Sequence, residues 1–164
     1  MILNNDKITE FDCLYVDIDD TLITGKFVAF MDLTWRIFKS KWLANVLAYI
    51  QRKYKFYIVN QRVAELIYYT LRETDVDVVV LTARGPNKDN ELLVKDIFGE
   101  IYYPNVVALG SYDPGHDKAN YICKNTTYHQ KAMLIDDNLR TRILVRNLFI
   151  ESIHPDMIEF ERVK

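Results

Sequence analysis

Two apolar segments of this chain each end in a group of carboxylates, and this feature most constrains the fold. The first segment, residues 11–17 (FDCLYVD), reads as a short buried strand and runs into three acids: Asp17, Asp19 and Asp20. The second, residues 132–135, is followed by the pair Asp136 and Asp137. Like charges this close raise the free energy unless a cation, a hydrogen bond or a raised pKa offsets their repulsion. We therefore interpret the two clusters as halves of one site.

Strand patterns and helix patterns alternate along the chain. Strands are predicted at residues 11–17, 76–82, 105–109, 132–135 and 148–153, and helices at 60–72, 86–98, 117–124 and 138–147. This alternation is typical of an α/β fold, and we expect a doubly wound, Rossmann-like, mainly parallel sheet. In such sheets ligands bind beyond the carboxyl ends of the strands, where both acidic clusters lie.

The length of the chain, 164 residues, suits one domain with a proper core and is too short for two ordinary ones. We expect a single domain over residues 1–164. The segment 25–55 is longer than a simple crossover between strands needs and has helical propensity throughout. With part of the following helix it predicts a small helical cap, approximately residues 25–72, inserted after the first strand and lying over the strand ends.

Composition bears on the partners and the compartment. The formal net charge of −2 gives no overall reason to expect nucleic-acid or membrane binding. Two cysteines are too few for a disulfide scaffold. The first residues have no long apolar stretch of the kind found in signal peptides, so we expect a cytoplasmic protein.

The first acidic cluster suits nucleophilic chemistry on phosphorus. Alternate residues of an extended strand point to opposite faces, so a turn directly after the strand is needed to bring Asp17 and Asp19 into one pocket. The small polar residues that follow, with Gly25, allow that turn. One carboxylate can then serve as nucleophile and the other as general acid and base. An aspartyl phosphate divides one difficult displacement into two easier ones.

Other polar residues can complete such a site. Thr82 ends the second strand and can donate its hydroxyl to a phosphoryl oxygen, and Lys118 can neutralise charge on the transferring group. Asp136 and Asp137 would complete an oxygen-rich site for Mg²⁺, a hard cation that favours carboxylates and phosphate. Carboxylates alone would repel a phosphate dianion, so the metal ion and the lysine are required parts of this hypothesis.

Three segments, in order along the chain, resemble motifs of the phosphatase branch of the haloacid dehalogenase-like hydrolase superfamily. Residues 17–21 (DIDDT) resemble its DxDxT motif, residues 81–84 (LTAR) its strand ending in Thr or Ser, and residues 134–137 (LIDD) its acidic pair. The resemblance covers about residues 11–150. Phosphatases and phosphomutases of this superfamily carry an acid at the place of Asp19, whereas dehalogenases and P-type ATPases do not.

The resemblance implies a role for each matching residue. Asp17 would be the nucleophile and a Mg²⁺ ligand, and Asp19 the general acid and base, with its backbone carbonyl on the metal. Asp136 would ligate Mg²⁺ and Thr82 would bind the phosphoryl group. Asp137 would lie next to the metal ligands without contacting the ion, as an acid or as a partner for the lysine.

The remaining positions implied by the resemblance are less sharply defined. Lys118, near the start of a predicted helix, and Lys131, just before the last motif's strand, compete for the superfamily's lone lysine, and geometry favours Lys118. Ala83 and Arg84 would contact the substrate beside Thr82. Thr21 would lie next to the acids and hold them in place without contacting the metal or the substrate.

The expected activity is Mg²⁺-dependent hydrolysis of a phosphate monoester through an aspartyl phosphate, on a nucleotide or another small phosphorylated metabolite. Phosphotransferase or phosphomutase activity, a polynucleotide 3′-phosphatase and a non-catalytic binding or scaffold module on the same fold are the alternatives. Aromatic residues of the cap, including Trp35, Trp42 and Tyr49, suit stacking on a nucleobase, but we favour packing on the core. Nucleic acid is thus an alternative without further support, and both a monomer and a homodimer remain open.

Overall fold

A computed structural model describes residues 2–159 of the chain, apart from the side chains of Asp32 and Arg36. The strands are β1 (Cys13–Val16), β2 (Ile23–Thr24), β3 (Ile58–Val59), β4 (Asp77–Thr82), β5 (Asn105–Ala108), β6 (Ala132–Ile135) and β7 (Glu151–Ile153). The helices are α1 (Asn5–Ile8), α2 (Lys26–Phe38), α3 (Lys41–Lys53), α4 (Gln61–Glu73), α5 (Lys88–Phe98), α6 (Pro114–Asn125) and α7 (Leu139–Arg146), followed by a 3₁₀ turn at Pro155–Met157. No helix within the described range is long and apolar enough to cross a membrane.

Five strands form one sheet in the order β5-β4-β1-β6-β7, and every neighbouring pair is parallel. The predicted α/β fold with a mainly parallel sheet is therefore confirmed. The chain leaves β1 toward β4 on one side and later returns to β6 on the other side. In parallel sheets a ligand crevice forms beyond the carboxyl ends of the strands at such a reversal of strand order. Val16, Val80 and Ile135 are aligned at this edge of the three central strands.

Helices cover both faces of the sheet because its central strand is apolar on both faces. Leu14 and Val16 of β1 pack in one core cluster with side chains of α4 and α5. Cys13 and Tyr15 point to the other face and pack with side chains of α6 and α7. The alternation of neighbouring residues across a strand thus divides the core into two layers.

Each predicted strand and helix has a counterpart at the same place; β6 has the predicted bounds and the others have shifted ends. The helix predicted from residue 117 begins three residues earlier in the structure, at Pro114, since proline is well suited to the first turn. The short pair β2 and β3 was not predicted. These strands are antiparallel, with Ile23 opposite Val59, and they hold together the two ends of the segment between them.

That segment forms two helices, where the sequence predicted continuous helical propensity. Lys39 adopts a left-handed backbone conformation (φ 46°) and ends α2, and Ser40 caps α3 by accepting a hydrogen bond from the Leu43 N–H at 3.4 Å. An ion pair between Arg52 and Asp89, at 2.9 Å, joins α3 to α5. The helix α4, which the predicted cap range includes, packs against the sheet in the core instead. The helices α2 and α3 together are called the roof below.

Candidate functional site

The carboxyl ends of β1 and β6 bring the two acidic clusters together. Asp17 follows β1 directly, and its backbone N–H donates to the Ile135 carbonyl at 3.0 Å. Asp17 is 7% exposed and Asp136 is fully buried. Carboxylate oxygens of Asp17, Asp136 and Asp137 all lie within 4.8 Å of one another. The structure therefore places side by side the acids that the sequence analysis assigned to one site.

The turn predicted after β1 is present and is built on Asp20. Its backbone lies in the left-handed region at φ 55°, which aspartate tolerates better than most residues. Backbone N–H groups of Leu22 and Ile23 donate to the Ile18 carbonyl at 3.0 and 2.9 Å and close the turn. As a result, Asp17 and Asp19 both line one cavity.

Lys118 lies in the midst of the acids. Its Nζ is 2.8 Å from Asp17 Oδ1 and 2.7 Å from Asp136 Oδ2, and the side chain is buried. Lys131, the competing candidate, is exposed at the opposite end of β6, where its backbone N–H donates to Asp12. The structure therefore places Lys118, and not Lys131, at the acidic cluster.

The start of α6 packs tightly against α7, and this packing positions Lys118. A Cβ added at the buried Gly115 would come within 2.8 Å of a Leu144 methyl group and 3.7 Å of the Thr141 Cα. One turn further along, Lys118 extends from α6 to the carboxyl ends of the strands. Its neighbour Ala119 packs in the core beneath it.

Burial and mutual repulsion govern the ionisation of the cluster. Burial raises the pKa of Asp17 to about 8; the Lys118 charge opposes this rise, and Asp136 adds to it. Burial also raises the pKa of Asp137, with further repulsion from Asp136. For Lys118, burial favours the neutral form, but the charges of Asp17 and Asp136 outweigh it and raise the pKa. Three carboxylates face one ammonium, so an added cation is electrostatically favourable here.

Hydrogen bonds hold the acidic pair after β6 in place. Asp136 Oδ1 accepts from the Asn138 N–H at 2.8 Å, and Arg142 Nη1 donates to the carbonyl oxygens of Asp136 and Asp137, both at 2.6 Å. Thr21 Oγ1 accepts from the Asp137 N–H at 3.0 Å and its hydroxyl donates to Asp137 Oδ1 at 3.4 Å. Thr21 thus holds Asp137 in place, and Arg142 holds both acids, a contact that the sequence analysis did not include.

Asp19 is held by Arg84. The Arg84 Nε and Nη2 atoms donate to the two carboxylate oxygens of Asp19 at 2.8 and 2.5 Å, and Nη2 also donates to Gln51 Oε1 at 2.8 Å. Burial works against the Arg84 charge, but Asp19 outweighs it and raises the pKa of the guanidinium. Arg84 was predicted to contact substrate; in the structure it orients Asp19 and connects it to the roof.

Gln51 was not predicted, although the sequence carries a signal for it. It lies on α3 four residues after Leu47, next to the stripe formed by Leu47 and Ala48, and all three are buried. A fully buried amide on the inner face of an amphipathic helix needs hydrogen-bond partners. Arg84 is the partner of its oxygen, whereas its Nε2 has no partner among the described residues.

Thr82 lies deeper than expected for a phosphate ligand. It ends β4, is fully buried, and its Oγ1 accepts from the Arg84 N–H at 3.2 Å. Ala83 and Arg84, which follow it, line the cavity. In this arrangement Thr82 shapes the loop that presents Ala83 and Arg84.

A cavity of about 230 Å³ lies between the acids and the roof. Its polar end includes Asp17, Asp19, Asp137, Lys118 and Arg84. The roof supplies mainly apolar side chains, among them Val28, Met31, Leu43, Leu47 and Ala48. Trp35 also lines the cavity and stacks on Tyr112, with ring centroids 5.2 Å apart and planes 13° from parallel. This stack connects α2 to the segment that follows β5.

Fold and site together define an α/β protein with a lysine-paired acidic site at the switch point of a parallel sheet. No protein-family model matches the chain, and no curated protein matches it either.

Proposed function

We propose that this chain is a Mg²⁺-dependent phosphatase that hydrolyses a phosphate monoester through an aspartyl phosphate on Asp17. The observation that carries the proposal is the buried contact of Lys118 with Asp17 and Asp136 at the polar end of a roofed cavity. The resemblance of residues 17–21, 81–84 and 134–137 to haloacid dehalogenase-like phosphatases supports the same conclusion.

The acidic cluster is suited to Mg²⁺. Asp17, Asp136 and Asp137 offer only oxygen atoms, which Mg²⁺ prefers, and their charge exceeds that of Lys118. These three side chains would hold the ion. Bound there, Mg²⁺ would neutralise charge on the phosphoryl oxygens and favour the ionised form of Asp17.

In the first step an Asp17 oxygen attacks phosphorus and the bond from phosphorus to the ester oxygen breaks. Asp19 donates a proton to that departing oxygen, which leaves as an alcohol. Asp19 lies two residues from Asp17 in the same turn, and both side chains line the cavity. Lys118, which contacts Asp17, offsets negative charge on the transferring group.

In the second step Asp19 takes a proton from a water molecule, whose oxygen attacks phosphorus and displaces the Asp17 carboxylate. Inorganic phosphate and the starting enzyme result. Arg84 donates to both carboxylate oxygens of Asp19 and so holds this side chain in a fixed orientation for the proton transfer.

The test is hydrolysis of p-nitrophenyl phosphate with Mg²⁺ and with EDTA, for the wild type, Asp17→Asn and Asp19→Asn. We expect metal-dependent turnover that both substitutions abolish. Asp75→Asn is the control, because Asp75 is exposed between α4 and β4, and this variant should match the wild type. Turnover that persists in Asp17→Asn or in EDTA would contradict the mechanism.

The same assay separates the alternatives. Activity that requires a second alcohol as acceptor would indicate a phosphotransferase or phosphomutase. Activity confined to 3′-phosphorylated oligonucleotides would indicate a polynucleotide phosphatase. A folded wild type that binds Mg²⁺ and turns over no ester would indicate a non-catalytic binding module.

A further inference from the structure

The cavity has two chemically different ends. Its floor carries the acids, Lys118 and Arg84, whereas α2 and α3 contribute a wall that is mainly apolar. A phosphate monoester bound with its phosphoryl group beside Asp17 would therefore place its leaving group against the roof. The properties of this wall constrain the leaving group.

The described side chains that line the cavity include two cations, Lys118 and Arg84, and both already face carboxylates. Lys118 pairs with Asp17 and Asp136, and Arg84 pairs with Asp19. A second phosphate or a carboxylate on the substrate would meet either these acids or the apolar wall. Burying a charge without a partner is costly, so a second anionic group is disfavoured.

Some polar groups on the roof side of the cavity already have partners within the protein. The Thr34 hydroxyl donates to the Phe30 carbonyl at 2.8 Å, and Ser40 Oγ accepts from the N–H of Leu43 at 3.4 Å. A further polar contact on this side is the hydrogen bond from Asn87 Nδ2 to Asn45 Oδ1 at 2.9 Å. A leaving group rich in hydroxyls would have to compete with these bonds.

The size of the cavity limits the substrate as well. Pockets for drug-sized ligands have volumes of about 300–1,000 Å³. This cavity, at about 230 Å³, is smaller and must hold the phosphoryl group too. The leaving group is therefore small.

We propose that the substrate, given the phosphatase function on which this inference rests, is a monoester of a small, uncharged and largely apolar alcohol, such as a phenol. The roof would select against esters that carry a second anionic group and against sugar phosphates. The selectivity comes from the apolar side chains of α2 and α3 and from the pairing of Lys118 and Arg84 with carboxylates of the protein.

The test compares two aryl esters, 4-methylphenyl phosphate and 4-carboxyphenyl phosphate; the carboxylate adds a charge and two heavy atoms, and the variants below separate these two effects. We expect kcat/KM to be at least tenfold higher for 4-methylphenyl phosphate, although 4-carboxyphenol is a better leaving group than 4-methylphenol. Equal kcat/KM values for the two esters would overturn the proposal. So would a higher kcat/KM for 4-carboxyphenyl phosphate, fructose 1,6-bisphosphate or glucose 6-phosphate.

Ala44→Lys places a cation in the apolar wall of the cavity and should reverse the preference in favour of 4-carboxyphenyl phosphate. Ala44 lines the cavity and is half-buried on α3. Ala44→Met is the matched control, since it adds a side chain of similar length without charge. A preference that changes equally in both variants would show that size, and not charge, governs selection.

Acetyl phosphate and a binding measurement separate this inference from the proposed function. Trp35 lines the cavity, so its fluorescence in a Trp42→Phe variant reports binding of 4-methylbenzylphosphonate and 4-carboxybenzylphosphonate, which are not hydrolysed. Turnover of acetyl phosphate with equal affinity for the two phosphonates would overturn the inference alone. Tighter binding of the methyl compound without turnover of any ester would overturn the phosphatase function and leave the selectivity of the cavity standing.

Discussion

At the scale of single residues, the site depends on one ammonium group shared by two buried carboxylates. Lys118 is the nearest cation to Asp17 and Asp136 among the described residues. Removing one partner of a buried ion pair leaves an uncompensated charge, whereas an exposed lysine contributes little. The two lysines that compete in the sequence therefore differ in what their loss should cost.

Lys118→Met should lower the free energy of unfolding by about 3 kcal/mol, because Asp17 and Asp136 lose their counter-ion. Urea denaturation in the presence of EDTA measures this free energy of unfolding. Lys131→Met is the control and should change stability by less than about 0.5 kcal/mol, since Lys131 is exposed. Equal effects of the two substitutions would contradict the assignment.

Tyr15 gives the stability a pH dependence at the alkaline end. Burial raises its pKa to about 12, and its hydroxyl shares a 3.3 Å hydrogen bond with Thr126. Between its ordinary pKa of about 10 and the raised value, the unfolded chain loses the proton and the folded chain keeps it. The folded state then binds more protons, so the stability due to Tyr15 falls as the pH rises through this window.

Tyr15→Phe should therefore be less stable than the wild type at pH 8 by roughly 1 kcal/mol, the contribution of one hydrogen bond. The difference should shrink between about pH 10 and pH 12, by up to roughly 1.4 kcal/mol per pH unit. Denaturation midpoints at pH 8 and pH 11 measure it. Tyr128→Phe is the control, because Tyr128 is 97% exposed and lies outside the core.

At the scale of helices and strands, α3 is connected to the chemistry through Gln51, Arg84 and Asp19. This connection runs from the roof to Asp19, the proposed general acid and base, through the side chains of Gln51 and Arg84. A change in α3 can thus alter the position of Asp19 without touching the substrate. Small displacements of catalytic groups lower rates strongly.

Gln51→Leu should lower kcat about tenfold or more, with a smaller change in KM, because Arg84 loses an acceptor and Asp19 loses its fixed orientation. Stability should change little, since the substitution also removes a buried Nε2 group that has no partner among the described residues. Gln51→Glu keeps the acceptor and should retain most of kcat. Steady-state kinetics and melting temperatures check this, and a parallel loss of stability and activity would contradict it.

The sequence predicts elements best where local pattern decides them. β6 has the predicted bounds, residues 132–135, because a short buried parallel strand reads as a continuous apolar run. The sequence does not place the break between α2 and α3, since Lys39 adopts its left-handed conformation without a glycine or proline to mark it. The pair β2 and β3 was missed because two residues are too few to show a period.

The candidate site, too, can be predicted only as far as local sequence pattern decides it. Asp17, Asp136 and Lys118 could be predicted from strand ends and a helix start, since parallel strands bring such positions together. The supports Gln51 and Arg142 could not be assigned, because their contacts join residues whose proximity depends on packing of whole elements. Thr82 ends its strand as predicted, but the full burial of its side chain depends on the loop that follows and does not show in the local sequence pattern.

At the scale of the whole molecule, repulsion among three carboxylates opposes folding, and a bound cation should relieve it. Mg²⁺ at about 100 times its dissociation constant should stabilise the wild type by about 2.7 kcal/mol. Thermal denaturation with increasing Mg²⁺ measures this, and EDTA should reverse it. Asp136→Asn should reduce the shift, because the variant removes one charge from the cluster; an unchanged shift would place the ion elsewhere.

The pairing of β2 with β3 has a consequence for how such a molecule can diversify. Neighbouring antiparallel strands bring their Cα atoms to roughly 5 Å, so the chain leaves the sheet layer and returns to it at almost the same point. Segments of different length and sequence can be exchanged at that junction without shifting the register of the five-stranded sheet. The acids and Lys118 lie outside the exchanged part, whereas Gln51, which accepts a hydrogen bond from Arg84, lies within it, so a replacement segment must supply its own acceptor for Arg84 to keep Asp19 in place.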